Sequence, residues 1–546
     1  MRIDNVYIEN FKNLKQFNID LDENELNTVL LGQNATGKSN FIESLVLIFK
    51  YLDLSKNSSI KYPDFDYKIK YKCRDKNIEI VCSKNNETNK QGYEITVDKK
   101  KQTYKSFFDK KDDYLPKYVF TYYSGISNKL KSHFDENQRN FYTKAKAKGV
   151  TKEDVEDFRR MFYVQLVHSY FVLLAFYTFE EDKTKNFLSQ YLNIENLESV
   201  LFKFQKPEWQ TKPKSSFKEM FMWGSEGLVR EFLDKLWEIS LAPINVTEVR
   251  KESFRDSSGK KKEYLYLFVP DKEKLQELNK FYHTNTELFK ALESTYISDL
   301  IDEVKVKVKK KNVDNEITFK ELSEGEQQLL TVLGLLKFTK DKETLVLLDE
   351  PDTHLNPLWK WHYLDLLNNI YKSDSETGKE DETTQIIINT HDPLVIGGLR
   401  KEQIRVFKRN PDNGNVTAEK PEKDAKGMGV AGILTSPLFG LPTILDKETQ
   451  LLLNRKRYLQ GKLMRNDINS DEYEEYKIKK SQLEELGFYE EVEDKWFQMY
   501  LAEMSKNEII QKVEYTEDEK VMLERESRNV VEQILKEMNK KDNEVH

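Results

Sequence analysis

Apolar and polar residues alternate at the start of the chain with the period of a β-strand. This alternation occurs at residues 2–8 and again at 17–21, and 26–31 is a short apolar run. Because the side chains of a strand point alternately to its two faces, these stretches predict strands. Three further alternating segments between residues 67 and 97, separated by polar turns, predict an antiparallel meander.

The pattern changes in the middle of the chain, where aromatic residues are frequent. Between residues 134 and 240 the apolar positions recur at helical spacing, which predicts a helical segment. Residues 244–249 and 264–269 have the form of a hairpin, and 275–308 is helical and then strand-like. The last stretch, 451–546, is strongly charged and helical in pattern.

The first chemical motif follows the apolar run, where a glycine-bearing loop leads into a helical pattern. Residues 32–39 read GQNATGKS, which matches G-x-x-x-x-G-K-[ST] at every fixed position. Backbone N–H groups of such a loop, and of the helix that follows it, point at phosphate oxygens. Lys38 is expected at the β- and γ-phosphates, and Ser39 is expected to ligate Mg²⁺. The residues predicted to bind ATP here are Gly32, Gln33, Asn34, Ala35, Thr36, Gly37, Lys38, Ser39 and Asn40.

A second motif, LVLLDE at residues 345–350, predicts a buried strand that ends in two acids. This is the Walker B pattern. Asp349 is expected to hold the Mg²⁺ shell together with Ser39. Glu350 is expected to orient or deprotonate the attacking water. Paired acids are common at strand ends, so the weight of this motif depends on its neighbours.

One neighbour is ELSEGEQQLL at residues 321–330, which has the form of an ABC signature motif. Ser323, Gly325 and Glu326 are predicted to face nucleotide, because a hydroxyl and backbone N–H groups at a helix N-terminus suit a γ-phosphate. Within one chain such a helix lies far from the glycine-bearing loop at residues 32–39, the P-loop. The nucleotide that the signature contacts therefore has to be bound by the P-loop of a second molecule. The sequence therefore predicts a head-to-tail dimer.

Two short segments after the Walker B motif complete the set. Residues 352–355 form a D-loop pattern, in which His354 is either a D-loop contact or a structural residue. The strand-like run at 385–389 leads to His391, the predicted switch histidine that senses the γ-phosphate and acts with Glu350 in catalysis. A Q-loop glutamine cannot be placed, since the candidate segment 122–125 reads YYSG.

The order of these motifs predicts an α/β fold, an ABC/SMC-type P-loop ATPase head. A mixed sheet, an antiparallel β subdomain, a large helical insertion and a helical C-terminal region are expected. The predicted domains are an N-terminal ATPase lobe (1–130), a mostly helical insertion (131–300), a C-terminal ATPase lobe (301–410) and a helical region for assembly or partner docking (411–546).

Charge, cysteine content and hydropathy limit the possible partners and cellular compartment of the protein. A formal net charge of −7 gives no overall attraction to nucleic acid, so DNA binding would need a local patch or a partner. Two cysteines, Cys73 and Cys82, exclude a disulfide framework and suit a reducing cytoplasm. The apolar stretch 161–179 carries Gln165 and His168, which favours a buried helix over a membrane span. We therefore expect a cytoplasmic protein without membrane contact.

Several segments together resemble the SMC-like ATPases of bacterial anti-phage defence and DNA repair, which include the RecF and overcoming-lysogenisation-defect groups. They are NFKNL, the P-loop, LSEGEQQ, LLDEPDTHLNP and THDPLVI. Three less common segments resemble the Septu-type defence ATPases, which also occur with some retrons. They are YYSGISNKL, KPEWQ and GMGVAGILTSPLFGLPTILDKETQ.

The resemblance implies an oligomer built from ATPase dimers, with ATP as the controlling ligand. It also implies that this oligomer recruits and restrains an HNH endonuclease subunit, and that the C-terminal region helps to assemble the complex.

Two other functions stay open. A RecF-like DNA-binding ATPase in repair needs no nuclease partner, and the basic runs at 99–101, 129–131, 144–148 and 260–262 are its candidate DNA contacts. A single-chain nuclease of the overcoming-lysogenisation-defect type would need a Toprim domain after the ATPase core. The residues that follow His391 read as helical, which argues against that domain.

Overall fold

A computed structural model shows two compact units, residues 1–427 and 428–546. Within 1–544 it describes all residues except 23, 85–90, 126–128, 146–158, 208–221, 251–258, 312–316, 340–341, 372–382, 412, 489–494 and 513–514. Parts of YYSGISNKL, of KPEWQ and of the basic run 144–148 lie outside the described residues. The four-part division of the chain stays a prediction.

Among the described residues, all strands belong to the first unit. They are β1 (Arg2–Phe11), β2 (Leu14–Asp20), β3 (Asn27–Gly32), β4 (Tyr67–Cys73), β5 (Lys76–Lys84), β6 (Gln91–Val97), β7 (Lys100–Gln102), β8 (Tyr118–Tyr123), β9 (Met161–Val164), β10 (Ile194–Gln205), β11 (Leu241–Arg250), β12 (Lys260–Val269), β13 (Ile301–Lys310), β14 (Ile317–Thr318), β15 (Thr344–Asp349), β16 (Thr384–Asn389), β17 (Ile404–Arg409) and β18 (Val416–Glu419).

The helices occur in both units. Those of the first unit are α1 (Lys38–Leu54), α2 (Tyr104–Phe108), α3 (Asp135–Ala145), α4 (Val167–Thr178), α5 (Asp182–Tyr191), α6 (Gly227–Ile239), α7 (Lys272–Gln276), α8 (Asn285–Ile297), α9 (Glu324–Thr339), α10 (Pro357–Tyr371) and α11 (Pro393–Ile396). Those of the second unit are α12 (Gly429–Thr435), α13 (Lys447–Met464), α14 (Ser470–Glu485), α15 (Lys495–Met504) and α16 (Glu517–Glu544).

A seven-stranded sheet in the order β18-β17-β3-β16-β15-β8-β9 carries the chemical motifs. Its strands are parallel except β18, which pairs antiparallel with β17. Every residue of β15 and β16 is buried. That burial explains their continuous apolar sequence, since helices or further layers cover both faces of a parallel sheet. The predicted α/β fold with a mixed sheet is confirmed.

The predicted antiparallel subdomain is also present, as a six-stranded sheet in the order β2-β1-β4-β5-β6-β7. Buried and exposed residues alternate along β4, as expected for a sheet with one face against the core. Phe41 of α1, Ile69 of β4 and Leu345 of β15 belong to one hydrophobic cluster. The first helix is thus packed into a core shared by both sheets.

The helical pattern predicted between residues 134 and 240, with breaks only around Pro207 and Pro213, is wrong at two places. β9 joins the edge of the central sheet, and β10 lies at the middle of a five-stranded sheet in the order β11-β12-β10-β13-β14. The buried residues Val200, Phe202 and Phe204 alternate along β10, but the neighbouring apolar Leu197 and Leu201 also fit a helical period. The predicted hairpin is confirmed by the pairing of β11 with β12.

The apolar stretch 161–179 is mostly buried, as predicted, but it forms strand β9 and helix α4 instead of one helix, and Leu166 between them is exposed. In the described part of the chain, no helix is long and apolar enough to cross a membrane. Cys73 and Cys82 are both buried and free.

The second unit is helical in its described residues, as predicted for the C-terminal region. Helix α13 packs against α14 and α15. Tyr458, Leu459 and Tyr476 form its small buried core, and Asn469 caps α14 with a capping box.

Candidate functional site

The motif residues meet where the parallel strands of the central sheet end. Asp349, the last residue of β15, lies opposite Asn389 of β16 on one side and Tyr123 of β8 on the other. The P-loop begins at the end of β3, which is the other neighbour of β16. Because neighbouring parallel strands end at the same edge, residues far apart in sequence are brought together there.

The P-loop turns into α1 through Gly37, whose φ of 98° lies in the left-handed region. A Cβ on Gly37 would lie 2.8 Å from Leu14 Cδ2 and 2.9 Å from Asn13 Oδ1, so a larger residue would not fit without movement. Asn13 also donates a hydrogen bond of 3.0 Å to the carbonyl of Ala35. The turn between β1 and β2 therefore supports the P-loop from outside.

The Lys38 side chain is folded into the loop and is only 4% exposed. Its Nζ donates to the backbone carbonyls of Gly32 at 2.7 Å and Gln33 at 3.0 Å. Burial lowers the pKa of Lys38 to about 8, although the carboxylates of Glu350 and Asp349 act in the opposite direction. The ammonium group is thus poorly solvated and donates to neutral carbonyls, an arrangement suited to accepting an anion.

Asp349 and Ser39 have the geometry that a divalent cation needs. Ser39 Oγ donates to Asp349 Oδ1 at 3.1 Å, and the amide of Asn389 donates to the same oxygen. The other oxygen, Oδ2, is buried without a hydrogen-bond partner. Burial raises the pKa of Asp349, and the hydrogen bonds from Asn389 and Ser39 oppose that rise. A buried carboxylate oxygen without a partner, beside a hydroxyl, fits the oxygen-rich coordination of Mg²⁺.

Glu350 and His391 face each other beside the P-loop. Glu350 Oε1 lies 3.5 Å from His391 Nε2. The backbone of Glu350 has a φ of 53°, and its N–H donates to the carbonyl of Asn389. Burial lowers the pKa of His391, the charge of Lys38 lowers it further, and Glu350 opposes both. A carboxylate and a histidine whose pKa is lowered are therefore held together at the same edge of the sheet.

These residues border an open cleft of about 600 Å³. It is lined by Lys12, Asn13, Asn34, Ala35, Thr36, Gly37, Lys38, Ser39, Asn40, Glu350, Asn389, His391 and Arg409. The volume is in the range of small-molecule sites. Most of the residues predicted from the P-loop, together with Glu350 and His391, are thus brought into one site.

The signature residues are held elsewhere by contacts of their own. Of the described residues that line the cleft, none comes from the signature segment. Ser323 donates to Glu326 Oε2 from its backbone N–H at 2.9 Å and from its hydroxyl at 3.0 Å, and Lys310 Nζ lies 2.6 Å from Glu326 Oε1. Ser323 and Glu326 thus cap the start of α9 for each other. The predicted contact of these residues with nucleotide stays a prediction.

The D-loop packs directly on the signature segment. His354 Nδ1 lies 3.3 Å from Glu324 Oε2, and a Cβ on Gly325 would lie 2.4 Å from the backbone oxygen of His354. Asp352 is buried, which raises its pKa to about 6. The sequence leaves His354 as either a D-loop contact or a structural residue. In the structure it lies in the D-loop and also packs against the signature segment.

The segment proposed for the Q-loop follows β8. The N–H of Ser124 donates to the carbonyl of Asp349 at 3.2 Å, and the hydroxyls of Ser124 and Thr353 are 3.2 Å apart. The segment therefore starts beside the Walker B strand. The next residues, 126–128, lie outside the described part of the chain.

Sequence reasoning missed four residues of this site: Lys12, Asn13, Asn389 and Arg409. Asn389 ends the strand before His391, so a polar residue at that end could have been noticed. Lys12 and Asn13 lie in NFKNL, which served only as a mark of resemblance. Arg409 ends β17, and its sequence neighbourhood carries no motif.

A family model described as "AAA domain, putative AbiEii toxin, Type IV TA system" matches residues 28–397. The Septu protein PtuA of Bacillus mycoides (strain KBAB4) is 27% identical over 238 residues, which cover 40% of this chain and 31% of that protein. The retron Vc95 probable ATPase of Vibrio cholerae serotype O1 biovar El Tor is 21% identical over 438 residues, 74% of this chain and 73% of that protein. The chain thus matches less than a third of the length of the first of these relatives.

Among solved structures, an SMC head bound to the C-terminal winged-helix domain of ScpA matches with a TM-score of 0.31 and 12% identity, over 77% of this chain and 98% of that one. The resemblance to Septu-type and retron-associated ATPases predicted from the sequence is confirmed by the two sequence relatives. Because the family model spans well over half of the chain, the protein is a member of the AAA-domain family that includes the AbiEii-type proteins.

Proposed function

We propose that the protein binds ATP with Mg²⁺ in the cytoplasm, hydrolyses it between two copies of the chain closed head to tail, and thereby controls a partner nuclease in anti-phage defence. The observation that carries the nucleotide part is the buried Asp349 oxygen without a hydrogen-bond partner, next to Ser39 in a P-loop cleft. Family membership and the relatives named PtuA and retron ATPase support the same reading.

In the proposed reaction, Lys38 exchanges its two carbonyl partners for phosphate oxygens. A water attacks the γ-phosphorus and gives a proton to the carboxylate of Glu350. The new bond joins the water oxygen to phosphorus, the bond from phosphorus to the β,γ-bridging oxygen breaks, and ADP leaves with that electron pair. His391, whose Nε2 lies 3.5 Å from Glu350 Oε1, donates its N–H to the γ-phosphate beside that carboxylate.

Ser39 and Asp349 would hold the Mg²⁺, which when bound neutralises phosphate charge. Asn389 fixes the Asp349 side chain by donating to the oxygen that also accepts from Ser39. The amide thus keeps Oδ2 turned away from those two donors. The three residues come from three different elements, so the site depends on correct packing of the sheet edge.

The proposal of a second copy is supported by the signature segment. Ser323 is exposed and lies outside the cleft of its own chain. The helix after the D-loop also exposes two large apolar side chains, Leu358 at 60% and Trp361 at 61%. Exposed apolar groups beside a catalytic motif are typical of an interface. In the proposed dimer, Ser323, Gly325 and Glu326 of each copy approach the P-loop of the other.

The partner is proposed to be an HNH endonuclease subunit, on the basis of the likeness to PtuA and the segments that resemble Septu-type ATPases. The second unit, residues 428–546, is a candidate docking region for it, with several exposed apolar side chains on its helices. We propose that this chain alone does not cut DNA and that nucleotide occupancy controls the partner.

Phosphate release by the purified full chain tests the nucleotide part. ATP should be hydrolysed with Mg²⁺ and not with excess chelator, and Asp349→Asn should lower the rate strongly because the amide cannot supply the same negative charge. Glu419→Gln, at an exposed ion pair, is the matched control. Equal rates with Mg²⁺ and with chelator would contradict the proposal.

Two further measurements test the assembly and the partner. Mass photometry with ATP should show a dimer that is lost after nucleotide removal. Incubation with plasmid should give no nicks from the chain alone, and cutting should appear when an HNH endonuclease encoded beside this chain is added. Metal-dependent nicking by the isolated chain would contradict the proposal that the nuclease is a separate partner subunit.

A further inference from the structure

Glu43 of α1 is a buried carboxylate on which cationic groups converge from outside its helix. Its side chain is 5% exposed. Its Oε2 lies near Lys12 Nζ and at 3.1 Å from Lys129 Nζ, while Oε1 lies 3.1 Å from His133 Nε2. Two ammonium groups and one imidazole thus share one carboxylate, directly behind the P-loop.

The three partners come from two separate parts of the chain. Lys12 lies in the turn between β1 and β2, with a φ of 56°, and lines the nucleotide cleft. Lys129 and His133 lie between β8 and α3, in the segment that leads into the insertion. Burial alone would raise the pKa of Glu43, but hydrogen bonds from His133, Lys12 and Lys129 outweigh it and lower the pKa to about 2. The carboxylate is therefore ionised at neutral pH.

A second set of contacts joins the same groups to the P-loop. Lys129 Nζ also donates to Asn40 Oδ1 at 3.0 Å, and Asn40 donates to Asn13 Oδ1 at 2.7 Å. Asn13 in turn donates to the carbonyl of Ala35 in the P-loop at 3.0 Å. Because Asn13 follows Lys12 in sequence, these contacts form a closed ring. It runs from Glu43 through Lys129, Asn40, Asn13 and Lys12 back to Glu43.

We propose that Glu43 is a positioning residue that holds Lys12 at the wall of the nucleotide cleft and couples filling of the cleft to the segment 129–134. This inference rests on the proposed binding of ATP. Lys12 is 40% exposed and its ammonium has three N–H groups, so it can donate to a phosphate oxygen while it stays bonded to Glu43. Glu43 also contacts Lys129 and His133, so a phosphate that fixes Lys12 fixes the carboxylate too and stabilises the segment that enters the insertion.

Such a coupling acts in both directions, because a ligand that tightens the segment is itself bound more strongly when the segment is ordered. The excess positive charge also has a direct role. Lys12 and Lys129 together carry two positive charges against one negative charge on Glu43, so these residues attract a polyphosphate. When no polyphosphate is bound, the buried carboxylate of Glu43 is still paired with both ammonium groups.

Hydrogen exchange of the full chain without nucleotide tests the holding part. In Glu43→Gln, the amides of residues 129–134 should exchange about tenfold faster than in the wild type, since the loss of charge-assisted contacts weakens the local structure. Glu79→Gln, at an exposed ion pair on β5, is the matched control and should leave this segment unchanged. Equal protection in Glu43→Gln and the wild type would overturn the proposal, whether or not ATP binds.

A double-mutant cycle on ATP affinity tests the positioning part. Glu43→Gln should weaken ATP binding about tenfold when Lys12 is present, and less than about twofold in a Lys12→Met background. Equal losses in both backgrounds would mean that Glu43 only supports the fold, which overturns its action through Lys12. If the wild type itself binds no ATP, the proposed function fails, and that outcome is seen before any variant is compared.

Discussion

The nucleotide cleft and the signature end of α9 are built in opposite ways. In the cleft, Lys38, Glu350 and His391 follow the ends of three different strands and line one open space. At the signature end, Ser323 and Glu326 bond to each other at the first turn of α9. The cleft therefore keeps a carboxylate oxygen of Asp349 without a hydrogen-bond partner at its edge, whereas Ser323 and Glu326 at the signature end are already paired with each other.

The physical cause of this difference is the backbone geometry at each place. The cleft lies where parallel strands end, so their last residues converge. The signature end is a helix N-terminus, whose free N–H groups need partners and take them from the nearest side chains. A bound anion would therefore compete with Glu326 for Ser323. The negative charge of Glu326 is offset by Lys310, which makes that exchange possible.

The largest expected effect comes from Glu350→Gln, which removes the proposed catalytic base from the cleft without changing the shape of the side chain. The amide cannot accept a proton, so the rate of hydrolysis should fall about 1,000-fold, while ATP affinity changes by less than about twofold. Phosphate release and nucleotide titration measure the two quantities. A variant that hydrolyses ATP at the wild-type rate would exclude Glu350 as the base.

Lys38→Ala should have the next largest effect, this time on binding. Removal of a cation that faces two phosphate groups should weaken ATP binding about 100-fold or more. Titration with a fluorescent ATP analogue measures this loss, and Lys408→Ala, at an exposed pair with Glu419, is the matched control. Unchanged affinity in Lys38→Ala would remove the P-loop assignment.

The sequence was sufficient to predict the cleft where a motif fixes both residue type and spacing. The P-loop, Asp349, Glu350 and His391 were named from the order GQNATGKS, LVLLDE and NTHD, and the structure brings them together. The sequence does not predict four residues that line the cleft through strand register and packing: Lys12, Asn13, Asn389 and Arg409. No spacing rule reveals that Asn389 lies opposite Asp349.

The same limit explains the errors in the fold. The alternating strands of the antiparallel sheet were predicted because one of their faces is polar. The sequence predicts a helix at β10, because Leu197, Val200 and Leu201 recur at a spacing that fits both periods. The seven-stranded sheet could not be assembled from sequence, since its neighbours β8 and β15 are separated by the whole insertion.

Ser323→Ala should have a smaller effect and should separate the two regions. Without the hydroxyl, the rate of hydrolysis should fall about tenfold, because one contact to the γ-phosphate across the proposed dimer is lost. ATP affinity of the monomer at low protein concentration should stay unchanged. Thr435→Ala, which removes an exposed helix hydroxyl in the second unit, is the control. A loss of monomer affinity like that of Lys38→Ala would place the signature in the site of its own chain.

Gly325→Ala should have the smallest effect on hydrolysis and should show how closely the signature depends on the D-loop. The added Cβ would lie 2.4 Å from the carbonyl oxygen of His354, a backbone atom that cannot move without shifting the D-loop. Overpacking of this kind costs about 1–3 kcal/mol, so the free energy of unfolding should fall by that amount and hydrolysis by a few-fold. Gly398→Ala is a matched control, because a Cβ there meets nothing within 4 Å. Denaturant unfolding of both variants measures the difference. If Gly325→Ala is as stable and as active as Gly398→Ala, the contact between the two motifs is not a constraint, and the signature end is free to move independently of the D-loop.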